Sequence, residues 1–164
     1  ALHHYPAEHY AQLAAAFPAA RHLASGGLGE NISTRGLAEE DVCIGDIFRL
    51  GGARIQVSQP RTPCWKIDHR TGCEGVAAFI AEHGLAGWYY RVLAEGEIAA
   101  GDRLEHIERP ANAVSLAEFW RVTGAPRPSM AALLRLAHAD GLDAQWTAKL
   151  TRRAEWLRNN ESGT

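Results

Sequence analysis

Several features that would assign this sequence to a special class of protein are missing from it. No apolar run approaches the roughly 18 residues that cross a bilayer, and the start has no charged segment followed by an apolar core. The 17 Lys and Arg residues are balanced by 19 Asp and Glu residues, so no overall positive field attracts nucleic acid. We therefore expect a soluble cytoplasmic chain with neither a membrane nor a nucleic acid as its partner.

Cysteine is also scarce, with only Cys43, Cys64 and Cys73 in the chain. The number is odd and no Cys-x-x-Cys pair occurs, which argues against a disulfide framework and against a structural zinc or iron–sulfur site. A reducing compartment suits such a chain. Each thiol on its own could be a buried hydrophobic group, since free cysteine is often buried.

What remains is an ordinary globular composition. The 164 residues are 46% hydrophobic and 22% charged, which predicts a folded chain of one or two domains. The sequence opens Ala1-Leu2-His3-His4 with no initiator methionine. We therefore expect it to be the larger part of a longer protein.

Short strands and helices alternate through the first two thirds of the sequence. Two runs of branched and aromatic residues flank Gly51-Gly52, which is typical of a hairpin. The predicted strands are 47–50, 53–58, 88–93 and 103–107, and the predicted helices are 6–17 and 75–83. Several short strands joined by glycine turns favour a β-barrel.

The pattern changes to helices after Asn112. Ser115 and Glu118 form a capping box that predicts a helix through Val122, residues 129–138 predict a second helix, and Asp143 caps a third. The last helix carries a group of basic side chains that we interpret as a solvated face: Lys149, Arg152, Arg153 and Arg158. These helices predict a second unit over residues 111–164, after a first unit over 1–110.

The segment around Cys64 is the one that indicates chemistry. Pro60 and Pro63 fix two φ angles near the end of a strand, which would hold Cys64 in a set direction. Nearby Arg61 and other basic residues would favour the thiolate, the form that binds metals and attacks carbon. The alternative is that the two prolines only end the strand.

Three motifs in order carry a family resemblance: Gly29-Glu-Asn-Ile32, Gly45-Asp46, and Gln59-Pro-Arg-Thr-Pro-Cys64. Together they resemble the MOSC domain, named for the C-terminal domain of molybdenum-cofactor sulfurase, and more narrowly its YiiM type. The resemblance implies a mainly β fold with helices, a MOSC β-barrel followed by a three-helix domain. The family's first strands and its His-Gly-Gly segment are missing here, so we expect residues 1–110 to be an N-terminally incomplete barrel.

The resemblance also implies an activity. Cys64 would be the one protein ligand of molybdenum in a molybdopterin enzyme that reduces N-hydroxylated compounds, such as 6-N-hydroxylaminopurine, and so detoxifies them. Soft thiolate ligands suit a redox metal. Two alternatives remain: a non-catalytic carrier of molybdopterin or of a sulfur-bearing form of it, and a partner-docking module in residues 112–164.

Further residues are assigned to the cofactor cleft by the same resemblance. They are Glu30, Asn31, Ser33, Thr34 and Arg61, with His4 and Tyr5 as weaker candidates in the segment His3-His4-Tyr5 at the border of the cleft. From the residues alone, Asn31 could equally cap its own loop and Arg61 could equally form a surface ion pair. Trp65, Trp88 and Tyr89 could stack on a flat substrate, although aromatic residues in strands more often belong to the core.

Two partners follow from what the chain does not contain. It has no cysteine quartet for a cluster and no Gly-x-Gly-x-x-Gly turn for a dinucleotide, so we expect a separate flavoprotein to supply electrons. A barrel that lacks strands exposes edges that pair with other chains, which predicts a homodimer.

Overall fold

The computed structural model describes residues 1–161, which form five strands and six helices. The strands are β1 (Leu2–His4), β2 (Ile47–Leu50), β3 (Ala53–Pro60), β4 (Trp88–Ala94) and β5 (Leu104–Glu108). The helices are α1 (His9–Ala16), α2 (Lys66–Thr71), α3 (Val76–His83), α4 (Leu116–Gly124), α5 (Met130–Ala137) and α6 (Ala144–Glu161). Over the described part of the chain, no helix is both long and apolar enough to cross a membrane.

The strands form one antiparallel sheet in the order β1-β4-β3-β2-β5. The predicted hairpin is confirmed: β2 pairs with β3 across Gly51-Gly52, and Gly51 adopts a φ of 54° in the turn. Strand β3 alternates as its sequence predicts, with Ala53, Ile55 and Val57 buried and Arg54 exposed. The four predicted strands are therefore confirmed, each within a few residues of its predicted end.

The predicted β-barrel, which was expected to be incomplete at its N-terminus, is not confirmed. Strands β1 and β5 are the two edges of the sheet, and within residues 1–161 they do not pair with each other, so the sheet is open. Strand β1 was absent from the sequence prediction, because three residues are too few to show a period. It is held by β4, with Leu2 opposite Tyr90 and His4 opposite Trp88.

The C-terminal helices begin where their capping residues predict. The Ser115 hydroxyl accepts a hydrogen bond from the Glu118 N–H at 3.0 Å, and Asp143 Oδ1 accepts one from the Gln145 N–H at 2.9 Å. The second half of the predicted capping box is wrong, because the Glu118 carboxylate pairs with Arg135 instead of returning to the backbone of Ser115. Helix α4 is therefore capped by one side chain and joined to α5 by the other.

Two hydrophobic clusters position the region around Cys64. The larger joins the sheet to the C-terminal helices, with Phe48 and Ile55 in the same cluster as Phe119 and Leu136. The smaller lies beneath α1, α2 and α3. Because α4–α6 share the core of the sheet, they pack directly on it, and the division of the chain at residue 110 stays a prediction. The loop of Cys64 leads from β3 in the larger cluster to α2 in the smaller.

Candidate functional site

A glycine-rich loop over residues 24–30 is held from within by Glu30. The Glu30 carboxylate accepts hydrogen bonds from Gly26 N–H at 2.7 Å and Leu28 N–H at 3.1 Å, and from the hydroxyl of Tyr10 at 2.6 Å. Glycine-rich segments have few side chains, so the hydrogen bonds of the side chains that are present decide the shape of the loop. Glu30 thus acts on the loop rather than standing free in a cleft.

Two arginines hold the same loop from outside. Arg61 donates from Nη2 to the Leu28 carbonyl at 3.1 Å, and Arg70 donates from Nη2 to the Gly26 carbonyl at 3.1 Å. Arg61 follows β3 and Arg70 lies in α2, so they flank Cys64 in the sequence. The segment that carries Cys64 is therefore joined on both sides to the glycine-rich loop. The surface ion pair considered for Arg61 is wrong, because its partner is a backbone carbonyl.

Cys64 is the accessible thiol of the three. Its residue is exposed just before α2, where its carbonyl accepts from Ile67 N–H at 3.0 Å, and its thiol makes no hydrogen bond to any of residues 1–161. Cys43 is buried, and burial and the nearby Asp46 carboxylate raise the pKa of its thiol. Cys73 is half-buried, with its sulfur 3.9 Å from the Glu74 carbonyl. Cys64 is thus the thiol most open to a metal or a substrate.

His4 bridges β1 to the loop that follows Glu30. Its Nδ1 lies 2.9 Å from the Tyr90 hydroxyl and its Nε2 lies 2.9 Å from the Thr34 hydroxyl, and the residue is fully buried. Burial, together with the neighbouring His3, lowers the pKa of His4 to about 3. A neutral imidazole has one donor and one acceptor nitrogen, which matches two hydroxyl partners. The His4 ring therefore joins strand β1 to Thr34 in the loop and to Tyr90 in β4.

The side chain of Asn31 joins the segment after the glycine-rich loop to strand β1. The side-chain Oδ1 of Asn31 accepts a hydrogen bond from the backbone N–H of His3 at 2.8 Å. The backbone N–H of Asn31 donates to the His3 carbonyl at 2.8 Å. Both contacts are with strand β1, so they differ from the capping of its own loop that was considered for Asn31 on sequence grounds. Ser33 contacts the Ser25 hydroxyl at 3.2 Å on the outside of the loop. Cofactor contacts for Asn31 and Ser33 stay predictions.

Arg61 and two neighbouring side chains each have a buried polar atom without a hydrogen-bond partner within the described part of the chain. They are His3 Nε2, the Tyr5 hydroxyl and Arg61 Nη1. Burial and the Arg61 cation lower the pKa of His3 to about 4, and burial, followed by the nearby Tyr10, raises the pKa of Tyr5. A buried donor left unpaired costs about 1–3 kcal/mol, so this group is suited to a polar ligand.

The resemblance places the segment His3-His4-Tyr5 at the border of the cleft, but only His4 and Tyr5 were named as cofactor-binding residues. The prediction named His4 and Tyr5 from the family resemblance alone, without knowing that residues 2–4 form a strand. Side chains alternate along a strand, which places His3 and His4 on opposite faces. The rings of His3 and Tyr5 have centroids 6.2 Å apart, and His3 is 4% exposed. Recognising residues 2–4 as a strand would have placed His3 on the same face as Tyr5 and so identified it as a candidate.

The predicted stacking residues differ in exposure. Trp88 is fully buried with its ring 4.3 Å from that of His4, so stacking on a substrate is wrong for this residue. Trp65 is 69% exposed directly after Cys64. Among residues 1–161 no group of three or more His, Cys, Asp and Glu side chains is arranged to hold a metal ion.

Known proteins resemble this chain along most of its length. YiiM of Escherichia coli (strain K12) is 39% identical over 154 residues, which cover 93% of this chain and 68% of that protein. YflK of Bacillus subtilis (strain 168) is 35% identical over 153 residues, with the same two coverages of 93% and 68%. A protein of Gibberella moniliformis named "Reductase" is 37% identical over 132 residues, which cover 79% of this chain and 24% of that protein.

Solved structures agree with this similarity. The crystal structure of YiiM from Geobacillus stearothermophilus matches with a TM-score of 0.89 and 36% identity, covering 94% of this chain and 78% of that one. YiiM from Escherichia coli matches with a TM-score of 0.84 and 38% identity, covering 94% and 77%. The family model of the MOSC domain matches residues 1–105. Because the MOSC domain model covers residues 1–105 and relatives of 35–39% identity cover 93% of its length, this chain belongs to the MOSC domain family.

Proposed function

We propose that this chain is a molybdenum-cofactor-dependent reductase of N-hydroxylated compounds such as 6-N-hydroxylaminopurine, and that Cys64 binds the metal. The observation that carries the proposal is the exposed thiol of Cys64, which has no hydrogen bond within residues 1–161 and lies on a segment fixed by Arg61 and Arg70. Membership of the MOSC family and a relative named "Reductase" support the proposal.

The residues present fit such a cofactor. Cys64 would ligate the metal, and the unpaired Nη1 of Arg61 would donate to an anionic or oxo group. His3 and Tyr5 offer two further unpaired polar atoms beside Arg61. Glu30 would keep the glycine-rich loop in place, and His4 and Thr34 would do the same for the segment that follows it. Asn31 and Ser33 stay proposed cofactor contacts. When bound, the cofactor supplies a redox metal that exchanges two electrons with the N–O bond.

The reaction is a reductive cleavage of an N–O bond. The hydroxylamine takes up two electrons and two protons, the N–O bond breaks, and the products are the amine and water. The chain has no dinucleotide motif or cluster motif, so a separate flavoprotein is proposed as the electron donor. Trp65, which is exposed next to Cys64, would offer this donor an aromatic contact.

The decisive experiment uses the chain produced in a molybdenum-replete host. We expect bound molybdenum and conversion of 6-N-hydroxylaminopurine to adenine with an artificial electron donor. Cys64→Ala should lose both, and Cys73→Ala, the matched change at a half-buried thiol, should retain both. Undiminished turnover in Cys64→Ala would show that the Cys64 assignment is wrong. Bound cofactor with no turnover of any N-hydroxylated compound would support the carrier instead.

The open sheet supports the proposed homodimer. Strand β5 is an edge whose residues 105–108 are exposed, and the exposed apolar side chains of Val92 and Ile107 lie in β4 and β5. Unpaired backbone groups on an exposed edge invite pairing with a second copy. Light scattering should give the mass of two chains, and a monomeric mass would refute this arrangement.

A further inference from the structure

The exposed side of α2 presents a large aromatic ring directly beside the accessible thiol. Trp65 follows Cys64 in the chain and is 69% exposed, and the ring centroids of Trp65 and His69 are 6.2 Å apart in an edge contact. Residues four apart lie on the same face of a helix, so both rings belong to one surface. Tryptophan is among the residues that most often supply the binding energy at the centre of a protein interface.

Exposed cations surround this ring. Lys66 and Arg70 are four residues apart in α2, and both are exposed. Arg70 donates to two carbonyls of the glycine-rich loop, which fixes its position and leaves its charge unpaired by any carboxylate. Arg21 is also exposed, and its backbone N–H donates to the Thr71 carbonyl at 2.8 Å, which places it at the end of α2. The Lys66 ammonium has no ion-pair partner within residues 1–161.

The carboxylates of the same segment offset these cations only in part. Asp68 is half-buried, and its two oxygens accept hydrogen bonds from Gly75 N–H at 3.1 Å and Ala77 N–H at 2.7 Å. Between residues 61 and 75 the only other carboxylate belongs to Glu74. The surface around Trp65 is therefore locally basic, although the whole chain has a formal net charge of −2.

We propose that this basic α2 surface, formed by Trp65, Lys66, Arg70 and Arg21, docks an acidic FMN-bearing protein that delivers electrons to the site at Cys64. The need for a flavoprotein donor rests on the proposed function. Complementary charge steers the partner and selects its orientation, so carboxylates should surround the flavin of a matching donor. A single-stranded nucleic acid would be attracted by the same charges, but it has no electrons to deliver.

The exchange balances with the reduced flavin as the only reductant. The flavin FMNH2 loses two electrons and two protons and becomes FMN. The hydroxylamine takes up both, its N–O bond breaks, and the amine and water leave. Electron-transfer complexes bury little surface and are weak, so charge should control the affinity at this surface.

The test measures binding of an acidic flavodoxin in its oxidised state to the 164-residue chain by isothermal titration calorimetry, which needs no bound cofactor. We expect saturable binding that weakens at least about tenfold between roughly 0.02 and 0.2 M salt. Lys66→Glu reverses one charge and should weaken binding about tenfold at the lower salt concentration. Trp65→Ala removes the central ring and should weaken it at least about tenfold. The basic protein cytochrome c should not bind.

Matched controls make the same kinds of change on another exposed helix face. Arg152→Glu and Trp156→Ala lie on exposed positions of α6 and should leave the affinity for flavodoxin within about twofold of its original value, because their charge and ring lie outside the basic α2 surface. Melting temperatures of the four variants check that each remains folded. Absence of saturable binding, equal binding of cytochrome c, or unchanged affinity in folded Lys66→Glu would overturn the proposal. Binding of oligothymidylate with the same dependence on Trp65 and Lys66, but no binding of flavodoxin, would assign the surface to nucleic acid instead.

The outcomes separate this inference from the proposed function. Flavodoxin binding with the expected variant pattern, but no reduction of 6-N-hydroxylaminopurine by cofactor-loaded protein, would refute the reductase and retain the docking surface. Reduction with the artificial donor, together with no binding of flavodoxin, would refute the docking surface and retain the reductase.

Discussion

Arg109 and Asp46 form a two-bond ion pair, with Arg109 Nε 2.8 Å from Asp46 Oδ1 and Nη2 2.7 Å from Oδ2. The Asp46 side chain is fully buried, and its carboxylate also accepts from Cys43 N–H at 2.8 Å. Asp46 precedes β2, and Arg109 follows β5 at the start of the connection to α4. The Gly45-Asp46 motif therefore joins the sheet to the segment that leads into the C-terminal helices.

Removing the arginine should destabilise the protein because the buried carboxylate then has no strong cation partner. We expect Arg109→Ala to lower the free energy of unfolding by about 2–3 kcal/mol, measured by urea denaturation. This is less than for a fully buried pair, because Arg109 is 42% exposed and His106 Nε2 lies 3.4 Å from Asp46. Arg49→Ala breaks the exposed Arg49–Glu105 pair and should cost less than about 1 kcal/mol. Equal losses in the two variants would contradict this account.

Stability should fall as the pH is lowered below about 6.5. The folded protein holds the pKa of His3 at about 4 and that of His4 at about 3, against an ordinary value of 6.5. The unfolded chain therefore takes up protons first, so the stability that is present above pH 6.5 is lost as the pH falls towards 4. The loss should be on the order of a few kcal/mol at pH 4.

The variant His3→Gln tests this assignment. Its unfolding free energy should depend less steeply on pH between 6.5 and 4 than that of the unchanged chain, because one of the two titrating groups is gone. Between pH 7.5 and 8.5 both histidines are neutral in the folded and unfolded states, which gives the control interval. An undiminished slope in the variant would assign the pH dependence to other groups.

The three thiols should react at different rates with a thiol reagent. Cys64 is exposed, Cys73 is half-buried, and Cys43 is buried with a raised pKa. We expect Cys64 to react roughly tenfold or more faster than Cys73 because access controls the rate, and Cys43 to react only on unfolding. Cys64→Ala should remove the fast phase and Cys73→Ala should leave it. A fast phase that persists in Cys64→Ala would place the accessible thiol elsewhere.

Gly45 should not tolerate a side chain. Its φ is 85°, and a Cβ there would lie 2.2 Å from the carbonyl oxygen of Asp140, a backbone atom in the turn that follows α5. Gly36 has a φ of 75° with nothing within 4 Å of such a Cβ. Gly36→Ala should cost about 1 kcal/mol from backbone strain, and Gly45→Ala should cost about 3 kcal/mol or more in thermal unfolding. Similar losses would show that the contact with Asp140 adjusts freely.

Local patterns in the sequence predicted most of the elements. Predicted helix 75–83 and the caps of Ser115 and Asp143 correspond to α3, α4 and α6, because period and capping are properties of neighbouring residues. Strand β1 and helix α2 were not predicted. Strand β1 depends on pairing with β4, more than eighty residues away, and the six residues of α2 are too few to show a period. The order of the strands, which leaves β1 and β5 at the two edges of the sheet, depends on the same kind of long-range pairing.

The site was predicted in part for the same reason. Cys64 was singled out by two prolines and a motif, both local signals, and its exposure agrees with an accessible role. The contacts of Arg61 with Leu28 and of Asn31 with His3 join segments about 30 residues apart, which no local pattern reveals. A cavity lined by Trp120 is formed by four helices from both halves of the chain. No local pattern in the sequence could have predicted it, because these helices are far apart in the chain.

Strand β1 has a consequence for local opening of the molecule. Its three residues pair with β4 on one side, and on the other side His3 binds Asn31 and His4 bridges to Ile32. Opening of β1 would therefore release this loop at the same time. In hydrogen-exchange measurements, the amides of Tyr5, Asn31 and Ile32 should exchange together as one unit with a shared opening free energy. The order of the loop beside the glycine-rich segment is thus set by the stability of a three-residue strand.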